Sequence, residues 1–332
     1  MFTLNSQRRQ HLATLFTITV LALGLHGIAS AQAQTYPSRP MRMIVPFAPG
    51  GAADIIARSI TEPMSRELGQ PILIVNRDGA GTVIGLNEAA HASADGYTLL
   101  LSGDAGVINA ASGRKLPYDL LRDLAPISIV YSGAQVMMGK KDGPFNNLQD
   151  MVKYARANPD KLRFGSTGIG TSVHMSSEIF NQAAAIKAVH IPYKGVAPAM
   201  NDLAGGHIEY VIGGSTAAIP AIKNGQFRGL AIMSKQRSPE LPDVPTAIEQ
   251  GINAETGSWY GLFSRAGTPP EIIARLHALL MTTLASPQVT ERFRNLGGEP
   301  RSMTTEQFRT YLRDETQKLS KLMKQLNIKL DD

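Results

Sequence analysis

The ten residues Val45-Pro46-Phe47-Ala48-Pro49-Gly50-Gly51-Ala52-Ala53-Asp54 narrow the possible folds more than any other stretch. Met41 to Val45 is a short apolar run suited to a buried strand. Ile55, Ile56, Ser59, Ile60 and Met64 then recur at helical spacing, so the decapeptide is a strand-to-helix turn. Two prolines stop ladder bonding, and Gly50-Gly51 allows positive φ and close approach to bare backbone. A helix start with free N–H groups and the positive end of its dipole is a seat for a carboxylate or phosphate. The same residues also fit a plain tight connection with Asp54 as its cap, and the turn alone leaves both readings open.

The grammar repeats along the chain. Pro71 to Asn76 reads as a second buried strand, residues 77–81 as a second glycine turn, and Thr82 to His91 as a helix with Ile84 and Leu86 inward. Tyr97 to Ser102 is a third strand. Strand, turn, helix, strand in repetition implies a parallel sheet with crossover helices, whose carboxyl-end turns face one crevice. Gly103-Asp104 belongs to that crevice. From Ala125 to Met138 the text becomes two extended runs separated by Gly133, read as the chain leaving a first lobe. Asn147 caps a helix, and alternating strands and helices from Leu162 to Met233 build a second α/β lobe. Trp259 to Phe263 is the return crossing. Thr268 is expected to cap the next helix with Glu271 completing a capping box; Ser286 and Thr304 open two more, with Phe308, Leu312, Leu319, Met323 and Leu326 on one face of the last. The expected division is residues 1–33 as a signal peptide, 34–134 as the first part of lobe 1, 135–255 as lobe 2, and 256–332 as the rest of lobe 1. Two crossings between lobes imply a hinge.

The signal assignment rests on Arg8 and Arg9, an apolar run from Leu12 to Ile28, and Ala31-Gln32-Ala33, giving cleavage near Ala33 and a periplasmic location. Removing those two arginines leaves 31 of 33 basic residues against 27 acidic. This mild excess has no dense Lys/Arg run, which argues against nucleic acid, and it suits attraction of a small anion. With no cysteine in the chain, neither disulfides nor a lipid anchor on cysteine is available. His and Asp are too scattered for metal-ligand spacing, and no cofactor fingerprint is present, so neither metal nor cofactor is expected.

Three further segments carry chemistry. Residues 165–171 precede a helix and present Ser166, Thr167, Gly170 and Thr171, hydroxyls and N–H groups suited to an anion, with His174 one turn on. Tyr193 and Lys194 follow a strand; Lys194 is either an attractor of acids or a solvated turn residue. Gly213-Gly214-Ser215 approaches a nucleophile elbow, though a triad would need a histidine and a carboxylate placed by the fold.

An ordered set of motifs covers nearly the whole mature chain. It includes Tyr36-Pro37-Ser38-Arg39-Pro40, the Val45 to Gly51 turn, Asp95-Gly96-Tyr97-Thr98, Lys115-Leu116-Pro117-Tyr118-Asp119, His190-Ile191-Pro192-Tyr193-Lys194-Gly195, Leu241-Pro242-Asp243-Val244-Pro245 and Ser258-Trp259-Tyr260-Gly261. In these the chain resembles the extracytoplasmic solute-binding proteins of tripartite tricarboxylate transporters, the Bug-type receptors. The resemblance implies a two-lobed α/β periplasmic-binding-protein (Venus flytrap) fold. Its cleft would close on a small organic carboxylate and present it to a membrane permease, with the receptor a monomer and not an enzyme. It also implies ligand contacts at Phe47, Ala48, Gly50, Gly51 and Asp54 in one lobe, and at Ser166, Thr167, Gly170, Thr171 and His174 opposite. Two departures stand out: Gly214 where relatives often have an acid, and Asp104 where they commonly have a small neutral polar residue. Asp104 would repel a second carboxylate or accept from an ammonium or hydroxyl, or simply cap its helix. Two other functions compete, a serine hydrolase using Ser215 and a ligand sensor with a signalling partner. The identity of the acid stays open among dicarboxylates, tricarboxylates, amino acids and aromatic acids.

Overall fold

In the computed structural model, which describes residues 36–330, a continuous mixed sheet forms the spine of the unit that begins at Arg39. The expected signal peptide lies outside the described residues. Among those described, no helix is long and apolar enough to cross a membrane.

The first half of the sheet contains β1 (Met41–Val45), β2 (Ile72–Asn76) and β3 (Thr98–Gly103), parallel in the order β2-β1-β3. Connecting them are α1 (Ala52–Leu68) and α2 (Val83–Ala90), the right arrangement for strands that need a crossover to run parallel. After β3 comes α3 (Asp104–Ala111) and, beyond a short α4 (Leu120–Asp123), the long β4 (Leu124–Lys140). The second half contributes α5 (Leu148–Ala157), β5 (Leu162–Ser166), α6 (Ser172–Ala184), β6 (Ala188–Pro192), α7 (Val196–Gly205), β7 (Tyr210–Gly214), α8 (Ser215–Lys223) and β8 (Phe227–Ile232). The chain then returns through β9 (Gly257–Arg265), α9 (Pro270–Leu284), α10 (Pro287–Asn295), β10 (Gly298–Pro300) and α11 (Thr305–Gln325).

The sheet order β2-β1-β3-β9-β4-β7-β5-β6 makes β4 the element shared by both halves. Its residues 124–134 pair antiparallel with β9, and from Gln135 onward it pairs with β7 and β8. The return strand begins beside the same point: Met233 donates its N–H to the Gln135 carbonyl and Thr256 donates to Met233. Separate apolar clusters fill the two sides. Ile44, Leu100, Ile129, Phe263 and Phe308 centre one, whereas Phe164, Phe180, Tyr210 and Ile212 centre another. This is the two-lobed α/β architecture expected from the alternating text.

Several local expectations need correction. Gly133 does not divide β4 into two runs, because bulges on either side of Ile129 absorb the irregularity and the ladder continues. The second strand is an edge strand with Leu73 57% exposed, so it is not buried on both faces. On α2 the inward residues are Gly85, Leu86, Ala89 and Ala90, which turns Ile84 outward. Ile55 and Leu326 likewise face solvent. Thr268 does not cap α9: its Oγ1 donates to the Arg265 carbonyl and pairs with Ser264, and Pro269 takes the cap position without a side-chain bond. Asn147 and Thr304 do cap their helices, each accepting from the N–H three residues on.

Candidate functional site

At the carboxyl end of β1 the chain turns through Pro46 to Gly51, and Gly50 adopts φ of +81°, a left-handed conformation that favours glycine. Asp54, the acid in the first turn of α1, does not take the N-cap position, which belongs to Gly51 and has no side-chain bond. Instead its buried carboxylate reaches back to accept from the Gly50 N–H at 3.0 Å, from Arg58 Nε and Nη2 at 2.9 and 3.1 Å, and from Asn76 Nδ2 at 3.2 Å. Asn76 Nδ2 also donates to the Phe47 carbonyl at 3.0 Å. The Arg58 bond holds the Asp54 carboxyl below its ordinary range against the opposing effect of burial. Asp54 is therefore a brace for the turn. Ala48, Pro49, Gly50 and Gly51 stay exposed on the rim it braces.

The neighbouring rim position is the end of β3. Gly103 caps α3 without a side-chain bond and leaves no room for a Cβ against the Trp259 carbonyl of β9. Asp104 follows as the first residue of α3. Its Oδ2 is closed off from solvent and makes no hydrogen bond among the described residues, and burial pushes the carboxyl up to about 7, opposed by the Ala105 N–H. An aromatic chain starts here: Phe47 meets the Tyr260 ring edge-on at 5.9 Å, Tyr260 lies 6.1 Å from Tyr131, and Tyr131 meets Phe293 at 5.3 Å. Tyr131 Oη donates to the Leu296 carbonyl, and burial raises its hydroxyl to about 12.

Ser215 reaches the same Leu296-Gly297 turn from the second lobe. Its Oγ donates to the Gly297 carbonyl at 2.5 Å, and Thr216 Oγ1 donates to Leu296 at 2.7 Å. Among the described residues no histidine bonds Ser215, so a catalytic triad is not assembled there. Gly214 caps α8 without a side-chain bond, as Gly51 and Gly103 do for their helices.

The turn at the end of β5 is built differently. Ser166 Oγ bonds His190 Nε2 at 2.6 Å and donates to the Gly168 carbonyl at 3.0 Å. Thr171 caps α6 and donates to the same carbonyl at 2.8 Å, while the Gly170 N–H, at a φ of +71°, donates to His174 Nδ1 at 3.0 Å. His174 and His190 stack at 3.9 Å, continued by Phe164 and then Tyr210. Burial, reinforced by the adjacent His174 and opposed by Glu178, lowers His190 to about 4. Two of the hydroxyls expected to meet an anion are thus engaged within the loop, and among the described residues that of Thr167 has no hydrogen-bond partner. The Tyr193 hydroxyl donates to Asp202 at 2.7 Å, and Lys194 is exposed on the following turn without an ion pair among the described residues.

The structure brings Phe47, Gly50, Gly51 and Asp54 into one turn and sets Asp104 on the adjacent strand end. It joins Ser166, Gly170, Thr171 and His174 in a second turn, directs Tyr193 toward α7, and ties Ser215 to Gly297. Asn76, Tyr131, Tyr260 and His190 complete these groups. Their hydrogen-bond partners lie between 22 and 165 residues away in sequence, which is why short motifs did not reveal them.

The family model for the tripartite tricarboxylate transporter family receptor matches residues 56–328. The BugT protein of Bordetella pertussis is 34% identical over 324 residues, covering 96% of this chain and 99% of that protein. The solved structure of the periplasmic binding protein BugD shares 34% identity with a TM-score of 0.73, over 89% of this chain and 99% of that one. The R. palustris protein Rpa4515, solved with adipate, shares 31% identity with a TM-score of 0.76, over 89% and 99%. With a family match over most of its length and relatives aligned nearly end to end, the chain belongs to the tripartite tricarboxylate transporter family of receptors.

Proposed function

We propose that this protein is a periplasmic receptor that takes a small organic carboxylate into the cleft between its lobes. It then closes about the 134/135 and 233/257 crossings and delivers the acid to a membrane permease, without making or breaking covalent bonds. The observation carrying this reading is that α1, α3 and α8, at the carboxyl ends of β1, β3 and β7, all start on glycine with no side-chain cap. Of the other helices, those at Asn147, Thr171, Ser286 and Thr304 are side-chain capped, whereas those that follow Thr82, Gly195 and Pro269 are not. Uncapped starts keep N–H groups and a positive dipole end for an incoming anion. The adipate bound by Rpa4515 supports an acid as the ligand. Closure requires that the acid gain contacts in the shut form that the open form lacks.

A melting screen tests this. A ligand bound by the folded state raises the apparent melting point, by about 2.7 kcal/mol of added stability at a hundredfold excess over Kd. Linear diacids of four to six carbons are expected to raise it and their uncharged diamides are not. A rise with diamides equal to that with acids would refute anion capture. The hydrolase reading has no supporting geometry at Ser215, whose hydroxyl is held by a backbone carbonyl.

A further inference from the structure

Two carboxylates sit on the same rim of the first lobe, and only one of them is satisfied. Asp54 accepts from Gly50, Arg58 and Asn76. The Asp104 carboxyl has only the lowering influence of the Ala105 N–H, and its Oδ2 is withdrawn from solvent with no donor among the described residues. Such a group is expensive to keep, because a buried acceptor without a partner forfeits its hydration with nothing in return. Its location indicates what supplies the partner. β3 lies beside β1, so Asp104 follows the strand end adjacent to the Pro46–Gly51 turn. Gly103 is paired with Tyr260, whose ring touches Phe47. Among the described residues Asp104 Oδ2 has no partner, and no group of three or more His, Cys, Asp or Glu is placed to hold a metal ion.

We propose that Asp104 is a specificity-determining residue, accepting a hydrogen bond from an amino or hydroxyl group on the captured acid, so that amino and hydroxy acids are selected over unsubstituted diacids. This rests on the acid-capture reading above and adds the ligand class to it. Ammonium is the better donor because it also compensates the charge; hydrogen bonds to charged groups contribute about 1.5–3 kcal/mol, which is about ten- to a hundredfold in affinity.

The protonation behaviour points in the same direction. The side chains that feel the Asp104 charge are Tyr260 on β9 and Tyr311 on α11, and burial raises both hydroxyls so that they stay neutral. Burial carries the Asp104 carboxyl to about 7. Below that pH the neutral acid donates to a second ligand carboxylate. Above it the ionised acid accepts from an ammonium. Affinity for an amino acid ligand therefore rises between about pH 6 and pH 8, and affinity for a plain diacid falls.

The test is calorimetric titration of the wild type, Asp104→Asn and Asp104→Ser with succinate, malate and aspartate, and with the longer pair adipate and 2-aminoadipate, at pH 6 and pH 8. In the wild type at pH 8 the amino acids should bind about tenfold or more tightly than the unsubstituted acids, with malate between. Asp104→Asn should weaken the amino acids by about tenfold, strengthen the unsubstituted acids, and remove the pH dependence of both. Asp104→Ser should do the same, which guards against a variant that misfolds; melting curves of both are read first. Equal ratios in all three proteins at both pH values would overturn the assignment of Asp104 while leaving acid capture standing. Failure of every acid to bind any of the three would instead overturn acid capture, and this inference with it.

Discussion

The two glycine-rich turns, residues 46–51 of the first lobe and 165–171 of the second, are written in the same grammar and use their polar groups in opposite ways. In the first, one buried carboxylate braces the backbone from behind, and the rim residues Ala48 to Gly51 face solvent. In the second, the donors close on the loop itself. Ser166 and Thr171 both donate to Gly168, and Gly170 donates to His174, which stacks on His190. A glycine turn before a helix is thus not by itself a docking site. The neighbouring side chains decide whether its N–H groups remain available. On the proposed function, the first-lobe turn would anchor the acid and the second-lobe turn would serve as a preformed wall that meets it on closure.

The largest effect should come from the brace. Asp54→Ala strands the Gly50 N–H, takes one of two acceptors from the Asn76 amide and removes the partner of Arg58. Because Arg58 is itself 59% exposed and largely screened, we expect a stability loss of about 1–3 kcal/mol, the range for removing one partner of a hydrogen-bonded group. Acid affinity should fall by about tenfold or more as the turn loosens. Chemical denaturation and titration calorimetry measure the two separately, and unchanged affinity would remove the anchor from the first lobe.

A smaller effect is expected on the other side. His174→Ala takes away the acceptor for the Gly170 N–H and one ring of the stack, destabilising by about 1–3 kcal/mol. Acid affinity should stay within about threefold. If His174→Ala instead abolished binding while Asp54→Ala did not, the roles of the two turns would be reversed.

The smallest effect is a pH dependence. The folded-state pKa of His190 is lowered to about 4 from 6.5, so the neutral ring is the form the fold favours. Its contribution to stability is complete above about pH 6.5 and is lost as pH falls toward 4. Asp104, raised from 3.8 to about 7, works in the opposite sense over much of the same range, since its contribution is full at low pH and is lost as pH rises through 7. The difference between wild type and His190→Gln isolates the histidine: the wild-type melting point should fall more steeply from pH 6.5 to 4.5. Parallel curves would show that His190 titrates normally and that the second turn is more open than its hydrogen bonds imply.

How much of this was legible depends on distance along the chain. The strand-to-helix turns, the cap at Asn147 and the helix start at Thr304 are local, with every partner within a few residues, and the sequence text matched the structure. The two-lobed plan was legible from alternation of strand and helix patterns. The brace at Asp54 was half visible: the residue was marked, but its link to Asn76 joins the first turn of α1 to the end of β2, 22 residues on. Nothing local announced the Phe47-Tyr260-Tyr131 chain or the engagement of Ser215 by Gly297, because the sheet order placing β9 between β3 and β4 creates both neighbourhoods. Thr268 misled for a related reason. A threonine before two prolines fits a cap, but the chain kink placed its hydroxyl over Ser264 and Arg265.

The most direct measurement is a two-dimensional amide NMR titration of the assigned protein with a diacid or amino diacid that raises its melting point. The largest shifts are expected at the backbone N–H groups of Gly51 and Ala52, with Gly168 and Gly170 holding their positions because their protons are already bonded within the loop. Large shifts at Gly168 and Gly170 with none at Gly51 and Ala52 would contradict it.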